Sequence, residues 1–245
     1  MALVITVLAA TGALVMVDLP DPAGAAGVSG ASDTASAQAL YQRDCATCHG
    51  ARGEGTARGP KIAGVGTAMV DYMLSTGRMP LPTPSSPLVR RPPAYSDATR
   101  DDLVRYVSGF APGGPPIPDV DLSHAQLGEG QQVFELNCAP CHSAAGSGGA
   151  LLNQSAPDLR DATPTQTAEA IRSGPSPMPV FGTAAISQRQ LDAVVAYVQY
   201  LRRPQDRGGL SLDHLGPLPE GAVALVFGLG LLVSVAWLIE RQGRA

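Results

Sequence analysis

Cys45-Ala46-Thr47-Cys48-His49 recurs 93 residues later as Cys138-Ala139-Pro140-Cys141-His142. These two segments hold all four cysteines of the 245-residue chain. C-x-x-C-H is the attachment signature of c-type haem: two thiols bond to the porphyrin, and the histidine that follows supplies an axial ligand to iron. Two copies with no cysteine left over imply two covalently bound haem c groups, with His49 and His142 as the first axial ligands. Other uses of C-x-x-C fit less well. A redox dithiol needs one copy, opening a helix after a strand, and no βαβ pattern surrounds either copy. A structural zinc needs four donors around a tetrahedron, and it gives no reason for a histidine directly after each cysteine pair.

The surroundings of the motifs repeat as well. Tyr41 lies four residues before Cys45, and Phe134 lies four before Cys138. Each sits in a run expected to be helical, Ala35–Asp44 and Leu127–Asn137, so an aromatic ring would cover a haem edge one turn before the attachment site. Pro60 and Pro157 follow the motifs in loops. Each half ends in a stretch with apolar residues at i, i+3, i+4 and i+7, which predicts one buried helical stripe. In Asp101–Phe110 the stripe is Leu103, Val104, Tyr106 and Val107. In Ser187–Arg202 it is Leu191, Val194, Val195, Tyr197, Val198 and Leu201.

A second axial ligand should be soft, and methionine suits iron in an electron-transfer site. Met79 in Ser75-Thr76-Gly77-Arg78-Met79-Pro80 and Met178 in Ser176-Pro177-Met178-Pro179 are each followed by proline. They lie 30 and 36 residues beyond their histidines. Met69 and Met73 sit on an expected helix, Thr67–Thr76, where methionine usually fills a core. His124 and His214 match no position of the repeat. With both irons six-coordinate, neither offers an open site for peroxide or oxygen, and the chain is expected to carry single electrons.

Composition agrees. Aromatic residues make up only 4% of the chain, and a large apolar ring held in each half would supply the missing core. A net charge of −4 excludes nucleic-acid binding by bulk charge. Residues 31–110 carry nine basic and seven acidic side chains, residues 119–206 five and nine, so the second half is the more acidic. Ala111-Pro112-Gly113-Gly114-Pro115-Pro116-Ile117-Pro118 cannot be helix and should act as a short stiff spacer. Two uncharged apolar stretches bracket the chain. Ala2–Val17 is short for a membrane span; it reads as a signal-peptide core or, preferably, an N-terminal transmembrane helix. Gly221–Ile239 is nineteen residues long, with Arg241 and Arg244 beyond it, and the positive-inside rule puts that end in the cytoplasm.

The order helix, C-x-x-C-H, loop, Met, helix resembles the all-α class I cytochrome c fold, here as two tandem domains with a C-terminal transmembrane helix and an N-terminal one. The layout is residues 1–20 as N-terminal helix or signal anchor, 33–111 as domain one, 112–121 as linker, 122–204 as domain two, 205–220 as juxtamembrane segment and 221–239 as C-terminal span. The run His214-Leu215-Gly216-Pro217-Leu218-Pro219-Glu220-Gly221, with the Met79 segment, Arg91-Pro92-Pro93 and Asn137–His142, is similar to the dihaem cytochrome c subunit of actinobacterial-type cytochrome bcc complexes.

That resemblance implies a cell-membrane menaquinol–cytochrome c reductase with the haem domains on its extracytoplasmic side. It implies a cytochrome b and a Rieske iron–sulfur protein as partners. Electrons would pass from the Rieske protein through two haems to cytochrome c oxidase within a supercomplex. Haem one would be held by Cys45, Cys48, His49 and Met79, and haem two by Cys138, Cys141, His142 and Met178. The alternatives are a dihaem subunit of another membrane dehydrogenase or oxidase, a dihaem peroxidase with a displaceable sixth ligand, and a zinc-binding membrane protein.

Overall fold

The computed structural model describes residues 29–151, 154–204 and 217–243. The stretch 1–20 expected as an N-terminal span lies outside the described residues, as does most of the juxtamembrane run. In the first half, α1 (Ser29–Asp44) leads into a single turn, α2 (Ala46–His49), followed by α3 (Thr67–Ser75) and α4 (Asp97–Ser108). In the second half the same order returns as α5 (Leu127–Asn137), α6 (Ala139–His142), α7 (Pro164–Ser173) and α8 (Gln188–Arg202). A short antiparallel hairpin, β1 (Gly149–Leu151) and β2 (Gln154–Ala156), is the small departure from an all-helical pattern. The last helix, α9, runs Pro217–Gly243 and extends the expected 221–239 span by about a turn at each end.

Each half has its own core. In the first, α1 and α3 pack on α4, and Tyr41, Leu74, Leu103, Val104 and Val107 form the buried cluster. In the second, α5 and α7 pack on α8, around Phe134, Ala168, Ile171, Leu191, Val194 and Val195. The stripes read from the sequence are thus the faces that are buried. The closest approach of α5 to α8 is made by Gly130, where any Cβ would meet the Ala193 carbonyl. Ala37, with a single methyl, holds the matching position on α1.

Helix starts follow their caps. Ser96 accepts from the Thr99 backbone and opens α4 four residues before the expected Asp101, because the cap precedes the apolar stripe. Thr163 and Gln166 form a capping box on α7, and Ser187 and Gln190 form one on α8. The linker is pinned to both halves. Ala68 N donates to the Pro115 carbonyl at 3.2 Å, Ile117 N to the Thr67 hydroxyl at 3.0 Å, and the Gln188 amide to the Asp119 carbonyl at 2.8 Å.

The halves also touch directly, along α3 and α7. The Gln166 amide donates to the Ser75 carbonyl, and Arg90 donates to Gln166 Oε1 at 2.7 Å. By contrast, among the described residues no other element packs closely on α9. Its segment Gly221–Gly243 is long and apolar enough to cross a bilayer, and its side chains are exposed. Near its end the Arg241 guanidinium covers the Trp237 ring.

Candidate haem-attachment sites

The two motifs are built by one recipe. The end of α1 carries Cys45, whose N–H donates to the Tyr41 carbonyl at 2.9 Å; Cys138 does the same to Phe134 at 2.8 Å. One further turn brings round the histidines, His49 N to Cys45 O at 2.9 Å and His142 N to Cys138 O at 2.8 Å. Cys45 and Cys48, like Cys138 and Cys141, thus flank a single helical turn. All four thiols are free. Burial above all pushes Cys45 and Cys138 up to about 11. A redox dithiol needs a lowered thiol, and neither Cys45 nor Cys138 is one. Among the described residues no three His, Cys, Asp or Glu side chains gather closely enough to hold a metal ion, and the zinc reading finds no donor set.

Both imidazoles are oriented alike. His49 Nδ1 lies 2.8 Å from the Pro60 carbonyl, and His142 Nδ1 lies 2.9 Å from that of Pro157. A carbonyl oxygen only accepts, so Nδ1 carries the hydrogen and donates. Nε2 is left with its lone pair free for a metal. Burial holds the His142 imidazole below its usual value, against the Pro157 bond, and so favours the neutral, ligating form. The backbone after each histidine turns through positive φ: Gly50 at 83°, and Ser143 at 62° in the second half. Serine there is strained. Its hydroxyl accepts from the Ser147 backbone at 3.2 Å, a local bond that glycine lacks.

Each half also brings its methionine to the core that holds its first cysteine. Met79 and Cys45 both pack against the first cluster, and Met178 and Cys138 both pack against or within the second. Met79 N donates to the Met73 carbonyl at 3.0 Å, and Met178 N to the Pro175 carbonyl at 2.8 Å. Met69 and Met73 lie on α3 as expected, but both are half-buried and neither packs into the cluster of Tyr41, Leu74, Leu103, Val104 and Val107, so the core role expected of them is not what the structure gives. His124 is exposed in a loop, and His214 lies outside the described residues.

Sequence reasoning missed Arg78, beside Met79. It is buried, its guanidinium lies 4.9 Å from the centre of the Tyr72 ring, and its Nη1 has no hydrogen-bond partner. A buried guanidinium with nitrogen to spare fits a carboxylate such as a haem propionate.

The cytochrome c family model matches residues 34–110, and the model described as cytochrome c oxidase, cbb3-type, subunit III, matches residues 125–198. Both halves are cytochrome c domains, and such domains carry covalently bound haem c. The "Cytochrome bc1 complex cytochrome c subunit" of Mycobacterium leprae is 33% identical over 98% of this chain and 86% of its own length. That of Corynebacterium diphtheriae is 31% identical over 83% and 79%. The chain belongs to this family of cytochrome c subunits. A more partial likeness, 30% identity over 66% of this chain, links it to the cbb3-type cytochrome c oxidase subunit CcoP of Rhodobacter capsulatus, 60% of which is covered.

Proposed function

We propose that the chain is the dihaem electron carrier of a respiratory quinol–cytochrome c reductase. It takes electrons from the Rieske iron–sulfur protein, beside a cytochrome b, and passes them to cytochrome c oxidase within a supercomplex; menaquinol is the ultimate donor. Haem, when bound, supplies the one-electron iron couple. The residues of the chain hold, orient and insulate it.

Cys45 and Cys48 fix the first porphyrin, and Cys138 and Cys141 the second. His49 and His142 ligate through Nε2, because Pro60 and Pro157 hold Nδ1. Met79 and Met178 would supply the second axial ligands, and a thioether ligand raises the potential. Arg78, with a buried nitrogen to spare, would pair with a propionate of the first haem. Helix α9 anchors the chain in the cell membrane, with the haem domains outside the cytoplasm. A tether raises effective concentration, so shallow contacts with each partner suffice.

The observation that carries this reading is the histidine geometry, built twice on a chain that ends in an exposed apolar helix. The likeness to CcoP favours one second reading, a dihaem subunit of an oxidase. Purification from membranes in mild detergent separates the two. The proposal expects two haems per chain by pyridine haemochrome, with cytochrome b and Rieske protein co-purifying. Co-purification with a catalytic oxidase subunit alone selects the second reading.

A further inference from the structure

The seam between the domains holds a group that haem binding does not use. Glu169, on α7, is wholly enclosed by polypeptide, and neither carboxyl oxygen has a hydrogen-bond donor. From α3, Asp71 and Tyr72 face it, and from α4, Arg100. Asp71 is itself buried and already has its cation, Arg100 Nε at 2.7 Å. Arg100 also holds Asp97 at 2.7 Å. Arg90 is engaged with Gln166, and Arg78 with the Tyr72 ring. From α8, Leu191, Val194 and Val195 pack with Ala168 and Ile171 of α7, while Asp192 acts on Arg172 instead.

Two ionised carboxylates are both acceptors. Side by side in a dry seam they make no hydrogen bond and repel. A proton on one turns the pair into a donor and an acceptor. Asp71 already has Arg100 as its partner and Glu169 has none, so the proton belongs on Glu169.

We propose that the α3–α7 seam is a proton-binding site, in which Glu169 is a neutral acid at neutral pH and donates a hydrogen bond to ionised Asp71. The energetics point the same way. Burial first, and then Asp71, push the Glu169 carboxyl up to about 9, against the pull of Arg100. The unfolded chain loses this proton near an ordinary glutamate value, about 4.3. Between that value and about 9 only the folded chain holds the proton, so stability falls as pH rises through this window and levels off above it. Above the window a second negative charge enters the seam, and the two domains loosen from one another. None of this depends on which respiratory partners the chain serves.

The test uses the full-length, haem-loaded chain in detergent. The wild type should show an infrared protonated-carboxyl band at neutral pH that disappears on alkaline titration. Glu169→Gln, close in shape and always neutral, should lack that band. It should also lose the decline in unfolding midpoint between roughly pH 5 and 9, with haem content unchanged. Absence of the band from the wild type at neutral pH overturns the proposal without any variant. So does a Glu169→Gln stability profile that keeps the wild-type slope.

Discussion

Gln166 reaches across 91 residues of chain to the end of α3, where its Nε2 donates to both the carbonyl and the hydroxyl of Ser75 at 3.3 Å. The same side chain closes the capping box of α7 and accepts from Arg90. One residue therefore starts a helix in the second domain and fastens it to the first. Gln166→Ala removes both roles and leaves buried partners unsatisfied. The expected loss is about 1–3 kcal/mol of unfolding free energy. Denaturant titration at constant haem content measures it, and an unchanged midpoint would mean that the seam is held elsewhere.

Tyr41 and Phe134 occupy equivalent places, but only Tyr41 has a hydroxyl. It donates to the Gly50 carbonyl at 2.7 Å, just past the histidine. Tyr41→Phe keeps the ring contacts with Tyr106 and Phe110 and strips that bond. The expected cost is about 1–2 kcal/mol in thermal unfolding, with both haems still attached. Loss of haem from the first domain would show that the hydroxyl serves attachment and not merely the fold.

Tyr95 donates to Asp44 Oδ2 at 2.8 Å, and Asp44 immediately precedes Cys45. The Arg43 guanidinium, and less strongly Tyr95, hold the Asp44 carboxyl below its ordinary range, against burial. A depressed acid stabilises the fold above the unfolded value of about 3.9, and that contribution is lost as pH falls through the folded one. Tyr95→Phe should cost about 1–2 kcal/mol at neutral pH. The gap from wild type should close at pH below the Asp44 range. A gap that stays constant into acid would assign the effect to packing.

Met178→Ala should leave the thioether links intact and lower the potential of one haem. The expected drop is on the order of a tenth of a volt or more, within the ~0.8 V range that axial ligands span. Met79→Ala should do the same to the other haem. Potentiometric titration of each variant reads the two centres separately. If Met178→Ala titrates like wild type, another residue ligates the second iron.

Much of this architecture is written locally. The motif residues, the apolar stripes of α4 and α8, and the span Leu127–Asn137 follow from spacing, because one helix turn or one heptad contains the whole signal. The missed helix, α7, also had a signal: Thr163, Pro164 and Gln166 spell a capping box with proline in the first turn. It is overshadowed because its apolar residues, Ala168, Ala170 and Ile171, are few and mostly small. The seam was not legible. Ser75 meets Gln166, and Asp71 faces Glu169, only after both domains have folded. Nothing in the sequence marks Glu169 as a glutamate to be enclosed. Arg78 escaped notice for a similar reason, since its burial depends on the Tyr72 ring, six residues earlier on α3, and on how the loop returns.

The bare flank of α9 has a mechanical corollary. Twelve residues, 205–216, separate the end of the second domain from that helix. Fully stretched they reach about 40 Å, at roughly 3.3–3.6 Å each. Once the helix is embedded, the redox centres are confined to a thin layer over the lipid. Every partner must therefore present its own electron donor or acceptor inside that same layer, at a height the tether can reach.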